Sequence, residues 1–180
     1  MTDLIKSAET FARSRHAGQF RKGDAQEPYI VHVKEVAELV TVWGGSESAI
    51  AAAWLHDTVE DCPPTSFAEI EQEFGSDVAS IVHEMTDNKS LPKAERKKLQ
   101  ILNAAKKSEA ACLIKLADKS SNVAAIGSSP PADWSAERKR EYVAWARTVV
   151  APLPYKPDVA LQAFESRCEA TLNVIDGIVG

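Results

Sequence analysis

The sequence predicts an all-α fold of roughly eight or nine helices, and three observations support this prediction. Apolar residues recur every three or four positions in most segments, which is the spacing of one helix face. Capping residues, glycines and prolines separate these segments. The alternating pattern of a half-buried strand is scarce, and the β-branched run at residues 29–33 is too short to establish a strand.

The N-terminal half of the chain contains five of the predicted helices. Gly18 follows the first helix and Gly44 follows the second, as glycine commonly does where a helix ends. Ser46 is a suitable N-cap for the third helix, and Ser66 begins the fourth with a glutamate three positions later, which is a capping box. The apolar faces of the five helices lie, in order, within residues 4–12, 33–40, 49–55, 67–74 and 78–82.

Four further helices are predicted in the C-terminal half. Pro92 and Pro157 suit the first turn of a helix, and Ser135 is a suitable N-cap. The proline-rich segments 128–133 and 151–157 are loops between helices. Because 180 residues suit one domain with a sizeable core, we expect residues 1–180 to form a single domain. The apolar faces lie within residues 99–102, 113–117, 142–149 and 161–172.

Composition and charge narrow the classes of partner. The formal net charge of −5 does not favour nucleic acid or an anionic membrane. No window approaches 18 uncharged apolar residues, so we expect no membrane span. Three cysteines, odd in number and far apart, favour a reduced, cytoplasmic compartment. An acidic protein that handles a phosphorylated ligand must concentrate its positive charge locally.

Residues 56–61 (HDTVED) contain the strongest chemical signal. An isolated His-Asp pair has little meaning, because most lone histidines bind nothing. Here His56 and Asp57 are followed by Glu60 and Asp61, so four ionisable residues fall within six positions directly after an apolar helix. Carboxylates placed so close together repel one another, and a divalent cation would relieve the repulsion.

Two further residues extend this set of possible ligands. His32 supplies a second imidazole, and Asp118 interrupts an apolar helix face, where a buried carboxylate needs a partner or a metal. Two histidines and two aspartates make a mixed nitrogen and oxygen site. Mn²⁺, Fe²⁺ and Zn²⁺ fit such a site, and no cysteine belongs to the set to favour zinc.

Four separated blocks resemble the HD-type hydrolase domain of RelA/SpoT homologues, and they occur in the order found in that family. The resemblance extends from about residue 8 to residue 150, and it is greatest to the stand-alone small alarmone hydrolases. It implies a single HD-type helical domain that removes pyrophosphate from the 3′ position of ppGpp and pppGpp. The long homologues also contain a synthetase domain, so we expect no alarmone synthesis here. The blocks are residues 21–22, 28–32, 56–61 and 116–122.

The resemblance also implies a role for each acidic and histidine residue of the site. His32, His56, Asp57 and Asp118 would hold one Mn²⁺. Glu60 and Asp61 would orient and deprotonate the attacking water. A carboxylate within hydrogen-bond reach of that water contributes on the order of 10²- to 10⁴-fold to such a reaction.

Substrate contacts are implied at six positions. Lys93 and Arg138 would contact phosphates, although both lie in charged runs that are also typical of a solvated helix face. The family often carries an arginine and further polar residues after the asparagine that matches Asn122, whereas residues 123–127 are VAAIG here. Arg21 would lie against the guanine, where its planar guanidinium can stack, and Lys22 would lie nearby. Asn122 and Tyr142 would surround the nucleoside.

Two alternative functions stay open at this stage. A second enzyme hypothesis keeps the metal site and changes the substrate to the 2′-phosphate of NADPH. A non-enzymatic hypothesis is a nucleotide-sensing HD module that binds without turnover. The sequence does not define the oligomeric state. We expect all four tryptophans to belong to the core rather than to a ligand site: Trp43, Trp54, Trp134 and Trp145.

Overall fold

The computed structural model describes residues 2–178, which form ten helical segments. The predicted all-α class is confirmed, since only an isolated bridge between Phe20 and Pro28 has β geometry in this part of the chain. Nine segments correspond to the predicted helices. The helices are α1 (Asp3–Arg15), α2 (Ile30–Val42), α3 (Glu47–Leu55), α4 (Thr58–Asp61), α5 (Phe67–Phe74), α6 (Ser76–Met85), α7 (Lys93–Ala104), α8 (Glu109–Ser128), α9 (Ala136–Val150) and α10 (Asp158–Ile175).

Helix α8 runs through the centre of the structure and packs against α2, α3, α6, α9 and α10. Its apolar residues Ile114, Leu116 and Ala117 are fully buried, and so are the small and charged residues that follow them. A helix that is surrounded in this way cannot keep a polar stripe toward solvent. Every charged residue near its middle must therefore find its partner inside the protein.

Serine caps fix where several helices begin. The side chains of Ser46, Ser66 and Ser135 each accept a hydrogen bond from a backbone amide in the first turn of their helix, as predicted. Ser108 caps α8 in the same way and was not predicted. These caps satisfy amide hydrogens that would otherwise lack partners, and they set the rotation at which each helix enters the core.

The single turn α4 is the helix that the sequence did not predict. The chain keeps helical dihedral angles at His56 and Asp57 and continues directly into α4. Thr58 is buried, and its hydroxyl donates to the carbonyl of Leu55 over 2.7 Å. The junction of α3 and α4 therefore places His56, Asp57, Glu60 and Asp61 on one rigid segment.

Within residues 2–178, none of the helices combines the length and the apolar character that a membrane crossing would require.

The packing of α10 on α8 provides a test of this fold. Phe164 on α10 is the largest fully buried side chain, so Phe164→Ala should lower the free energy of unfolding by about 3–5 kcal/mol. Val159→Ala is the control, because Val159 lies on the same helix with 57% of its surface exposed and should change it by less than about 0.5 kcal/mol. Urea denaturation measures both. Equal effects of the two substitutions would contradict the assigned packing.

Candidate metal centre

Three predicted ligands converge in the interior from different helices. His32 lies on α2, His56 ends α3 and Asp118 lies near the middle of α8. All three are buried, and each offers one ligand atom within 4.8 Å of the other two. The structure therefore brings together residues that are separated by as many as 86 positions in the sequence.

Asp57, the fourth predicted ligand, lies beside this cluster. Its Oδ2 atom is 3.1 Å from Nε2 of His56 and 3.8 Å from Nε2 of His32. The Tyr29 hydroxyl donates to the same oxygen over 2.5 Å. Tyr29 thus orients the carboxylate toward both imidazoles.

Both imidazoles point Nε2 into the cluster because Nδ1 is engaged elsewhere. Nδ1 of His56 donates to the carbonyl of Ala53 over 2.7 Å, and Nδ1 of His32 is 2.9 Å from the hydroxyl of Ser121. Among the described residues, neither Nε2 atom has a hydrogen-bond partner, although both are buried. Two buried Nε2 atoms that face two carboxylates fit a divalent cation, and this donor set of two imidazoles and two carboxylates is one that such ions accept.

The cations of α8 keep Asp118 ionised. Burial alone would raise the pKa of Asp118, but Lys119 and Lys115 hold it at about 2. Nζ of Lys119 is 3.1 Å and Nζ of Lys115 is 4.0 Å from Oδ2, while the Asn122 amide donates to Oδ1 over 2.6 Å. In return, Asp118 raises the pKa of Lys119 against the effect of burial.

The two imidazoles have opposite pKa shifts. Burial lowers the pKa of His32 to about 4, so this imidazole is neutral. Burial would also lower the pKa of His56, but the adjacent Asp57 outweighs that effect and raises it to about 9. In the absence of a cation, the carboxylate of Asp57 thus keeps the imidazole of His56 protonated. Metal binding would have to displace that proton.

The predicted catalytic carboxylates lie at the edge of the cluster. Glu60 accepts the backbone amide hydrogen of Asp87 over 3.0 Å, and its other oxygen is 3.7 Å from Nη1 of Arg96. Burial raises the pKa of Glu60, which makes it a stronger base than a free glutamate. The carboxylate of Asp61 pairs with the ammonium group of Lys89. Together with three of the ligands, Glu60 and Asp61 line a cavity of about 180 Å³, here called the metal cavity.

A second cavity of about 380 Å³, the basic pocket, adjoins the metal cavity. The two share Asp87, Arg96 and Gln100 in their linings. Sequence reasoning missed two of its cations, although their spacing of three and four positions from Lys93 places all three on one face of α7. The lining includes the cations Lys22, Lys93, Arg96, Lys97 and Arg138 and the aromatic residues Trp134, Tyr142 and Trp145.

The expectation for the tryptophans was wrong for two of the four. Trp43 and Trp54 are buried in the core. Trp134 and Trp145 line the basic pocket instead, where the Arg138 guanidinium lies 4.6 Å from the Trp134 ring and Lys97 Nζ lies 4.4 Å from the Trp145 ring. Cation–π contacts of this kind hold long cationic side chains in place at the pocket wall.

A third cavity of about 340 Å³, the apolar pocket, lies between the loop that joins α1 to α2 and the C-terminal part of α8. Arg21 reaches across it and donates to the side chain of Asn122 over 3.2 Å and to that of Ser121 over 3.3 Å. The pocket shares Lys22, Trp134 and Tyr142 with the basic pocket, so the two cavities adjoin. Its lining includes Phe20, Arg21, Tyr29, Asp61, Asn122, Ala125, Ile126, Pro131, Trp134 and Tyr142.

Comparisons with known proteins identify the family of this chain. Residues 8–153 match the profile of the HD domain family. The chain is similar to the guanosine-3′,5′-bis(diphosphate) 3′-pyrophosphohydrolase MESH1 of Xenopus tropicalis, with 46% identity over 152 residues, 83% of this chain and 84% of that one. The protein of the same name from Homo sapiens is 43% identical with the same coverage. A solved structure of a metazoan orthologue of SpoT that hydrolyses ppGpp gives a TM-score of 0.88 at 38% identity, covering 94% of this chain and 96% of that one.

Thermal unfolding with and without a cation tests the metal centre. Mn²⁺ added to chelator-treated protein should raise the unfolding temperature, because the ion binds the folded ligand set. At a free Mn²⁺ concentration of a hundred times the dissociation constant, the free energy of unfolding should rise by about 2.7 kcal/mol. Asp118→Asn should abolish the gain, whereas Asp133→Asn, at an exposed carboxylate, should retain it. A full gain in Asp118→Asn would show that the ion binds elsewhere.

Proposed function

The chain belongs to the HD domain family, among the guanosine-3′,5′-bis(diphosphate) 3′-pyrophosphohydrolases, and from this premise we propose that it hydrolyses (p)ppGpp to GDP or GTP and pyrophosphate. The observation that carries the proposal is the ligand cluster, which adjoins Glu60 and Asp61 on one side and the basic pocket on the other. A phosphorylated nucleotide fits this combination, because the cation site and the basic pocket offer two separate positions for phosphate groups.

We propose that His32, His56, Asp57 and Asp118 hold one Mn²⁺, with Fe²⁺ and Zn²⁺ as other ions that the donor set accepts. When bound, a divalent ion lowers the pKa of water from about 16 toward roughly 7 and polarises the phosphoryl oxygen. Lys115 and Lys119 keep Asp118 ionised and so prepare it as a ligand.

The two catalytic carboxylates would act on the attacking water. Glu60 is held by the amide of Asp87, and Asp61 by Lys89, so each presents a fixed oxygen at the edge of the metal cavity. One of them accepts a proton as the water oxygen bonds to the 3′ phosphorus. The bond from phosphorus to the ribose 3′ oxygen then breaks, and that oxygen takes up a proton. Positioning the water in line with the leaving oxygen is the main requirement.

The adjoining cavities suggest how the rest of the substrate is held. With the 3′ diphosphate in the metal cavity, the 5′ phosphates would occupy the basic pocket, where Lys93, Lys97 and Arg138 neutralise them. The guanosine would then lie in the apolar pocket between Arg21 and Tyr142. This arrangement gathers positive charge locally on a protein whose net charge is negative.

We propose a small-molecule substrate, with neither nucleic acid nor a membrane as partner. A cytoplasmic, reducing setting suits the three cysteines, which are buried free thiols. Because α10 packs along α8, residues 1–180 would act as one domain.

Release of pyrophosphate from ppGpp is the experiment that tests this function. Purified protein with Mn²⁺ should produce pyrophosphate and GDP, and chelation should stop the reaction. Glu60→Gln and Asp61→Asn should each lower kcat by about 10²- to 10⁴-fold, because each removes a carboxylate that binds and deprotonates water. Both variants should still be stabilised by Mn²⁺, and Glu71→Gln, at an exposed glutamate on α5, is the control for activity.

The outcomes separate the alternative functions. Phosphate release from NADPH without pyrophosphate release from ppGpp would favour the NADPH hypothesis. Binding of ppGpp without turnover in the presence of Mn²⁺ would favour the nucleotide-sensing module. An active Asp61→Asn enzyme would contradict the proposed mechanism.

Two arginines in the same charged run test the basic pocket. Arg138→Met should raise the KM for ppGpp about tenfold with little change in kcat, because Arg138 lines the basic pocket and not the metal cavity. Arg140→Met should leave both constants unchanged, since Arg140 pairs with Asp176 on the other side of α9. Steady-state kinetics in Mn²⁺ measure both. Equal KM values for the two variants would assign Arg138 to a solvated helix face.

A further inference from the structure

The hydrogen bond that orients His32 differs in kind from the one that orients His56. His56 donates from Nδ1 to a backbone carbonyl, which can only accept, so in the neutral imidazole the hydrogen must lie on Nδ1 and the lone pair on Nε2. His32 faces the hydroxyl of Ser121, which can donate or accept. The Ser121 hydroxyl alone therefore leaves both neutral tautomers of His32 available.

The other contacts of Ser121 remove this ambiguity. Its hydroxyl is 2.5 Å from a carboxylate oxygen of Glu35 and 3.3 Å from Nη1 of Arg21. A carboxylate can only accept and a guanidinium can only donate. The single hydroxyl hydrogen is therefore directed to Glu35, and the two lone pairs of Oγ accept from Arg21 and from Nδ1–H of His32.

Glu35 is itself fixed by a third helix. Nη1 of Arg167 on α10 donates to its other carboxylate oxygen over 2.6 Å. Burial alone would raise the pKa of Glu35, but the hydrogen bonds from Ser121 and Arg167 hold it below its ordinary value. The carboxylate is thus ionised and acts as an acceptor at both oxygens.

We propose that Glu35 is a positioning residue that sets the tautomer of His32 through Ser121, with Arg167 holding Glu35 in place. Without Glu35, the Ser121 hydroxyl is free to donate to Nδ1, and the imidazole hydrogen then moves to Nε2. That hydrogen would point toward Asp57 and Asp118, where the cation requires a lone pair. The proposal rests on the metal site of the proposed function.

Metal affinity and the tautomer itself test this inference without any nucleotide. Glu35→Ala should weaken Mn²⁺ binding about tenfold by calorimetric titration, which is the scale of effect seen when the partner of a ligating histidine is lost. Glu35→Gln, which keeps the shape and one acceptor oxygen, should lie between it and the parent. Long-range proton–nitrogen spectra of the metal-free protein should show hydrogen on Nδ1 of His32 in the parent and on Nε2 in Glu35→Ala.

Two controls separate positioning from general stability. Arg147→Met breaks an ion pair with Glu165 that joins α9 to α10 and has exposure comparable to that of the Glu35–Arg167 pair, but does not reach the site, so Mn²⁺ affinity should be unchanged. In a Ser121→Ala background, adding Glu35→Ala should cause no further loss, because Glu35 acts only through the hydroxyl.

Several results would overturn the inference. Mn²⁺ affinity in folded Glu35→Ala within twofold of the parent value would do so. If that variant does not fold, Glu35→Gln with hydrogen still on Nδ1 of His32 and unchanged affinity has the same meaning. Additive losses in the double variant would assign Glu35 a purely electrostatic or structural role. Absence of ppGpp hydrolysis would instead count against the proposed function alone.

Discussion

The rest of the structure depends on one constraint: two carboxylates and the Nε2 atoms of two imidazoles face each other in a buried space. Asp57 and Asp118 cannot both remain ionised there without positive charge, and the Nε2 atoms of His32 and His56 have no donor within the described residues. A divalent cation satisfies all four groups at once. The junction of α3 and α4, the placement of α2 and the burial of α8 all bring these groups to one point.

The lysines of α8 show how the fold maintains this site. Lys115 and Lys119 flank Asp118, and all three side chains are nearly inaccessible to solvent. A buried ion pair of this kind contributes little net stability, because the cost of removing charges from water roughly offsets their attraction. The effect of the two lysines is instead to keep Asp118 ionised, so that its carboxylate can bind a cation. Stability comes instead from the apolar packing around α8.

The parts of the structure that the sequence predicted are those that depend on local pattern. Helical periodicity and serine caps predicted nine helices, whereas α4 is a single turn and too short to show any periodicity. The proposed set of four ligands rests on residue type and family resemblance, while Arg96 and Lys97 lie in a charged run that is typical of a solvent-exposed helix. Glu35 and Arg167 are 86 and 132 positions from their partners, so local pattern could not pair them.

The last helix lies beyond the region that matches the family profile, yet it is physically part of the site. The profile covers residues 8–153, and α10 begins at Asp158. Thr171 on α10 donates to the carbonyl of Val123 on α8, and Arg167 reaches Glu35 on α2. Because α8 carries Asp118 and α2 carries His32, α10 contacts both of the helices that supply these two residues. The orientation of His32 can thus depend on a helix that lies beyond the residues that match the family profile.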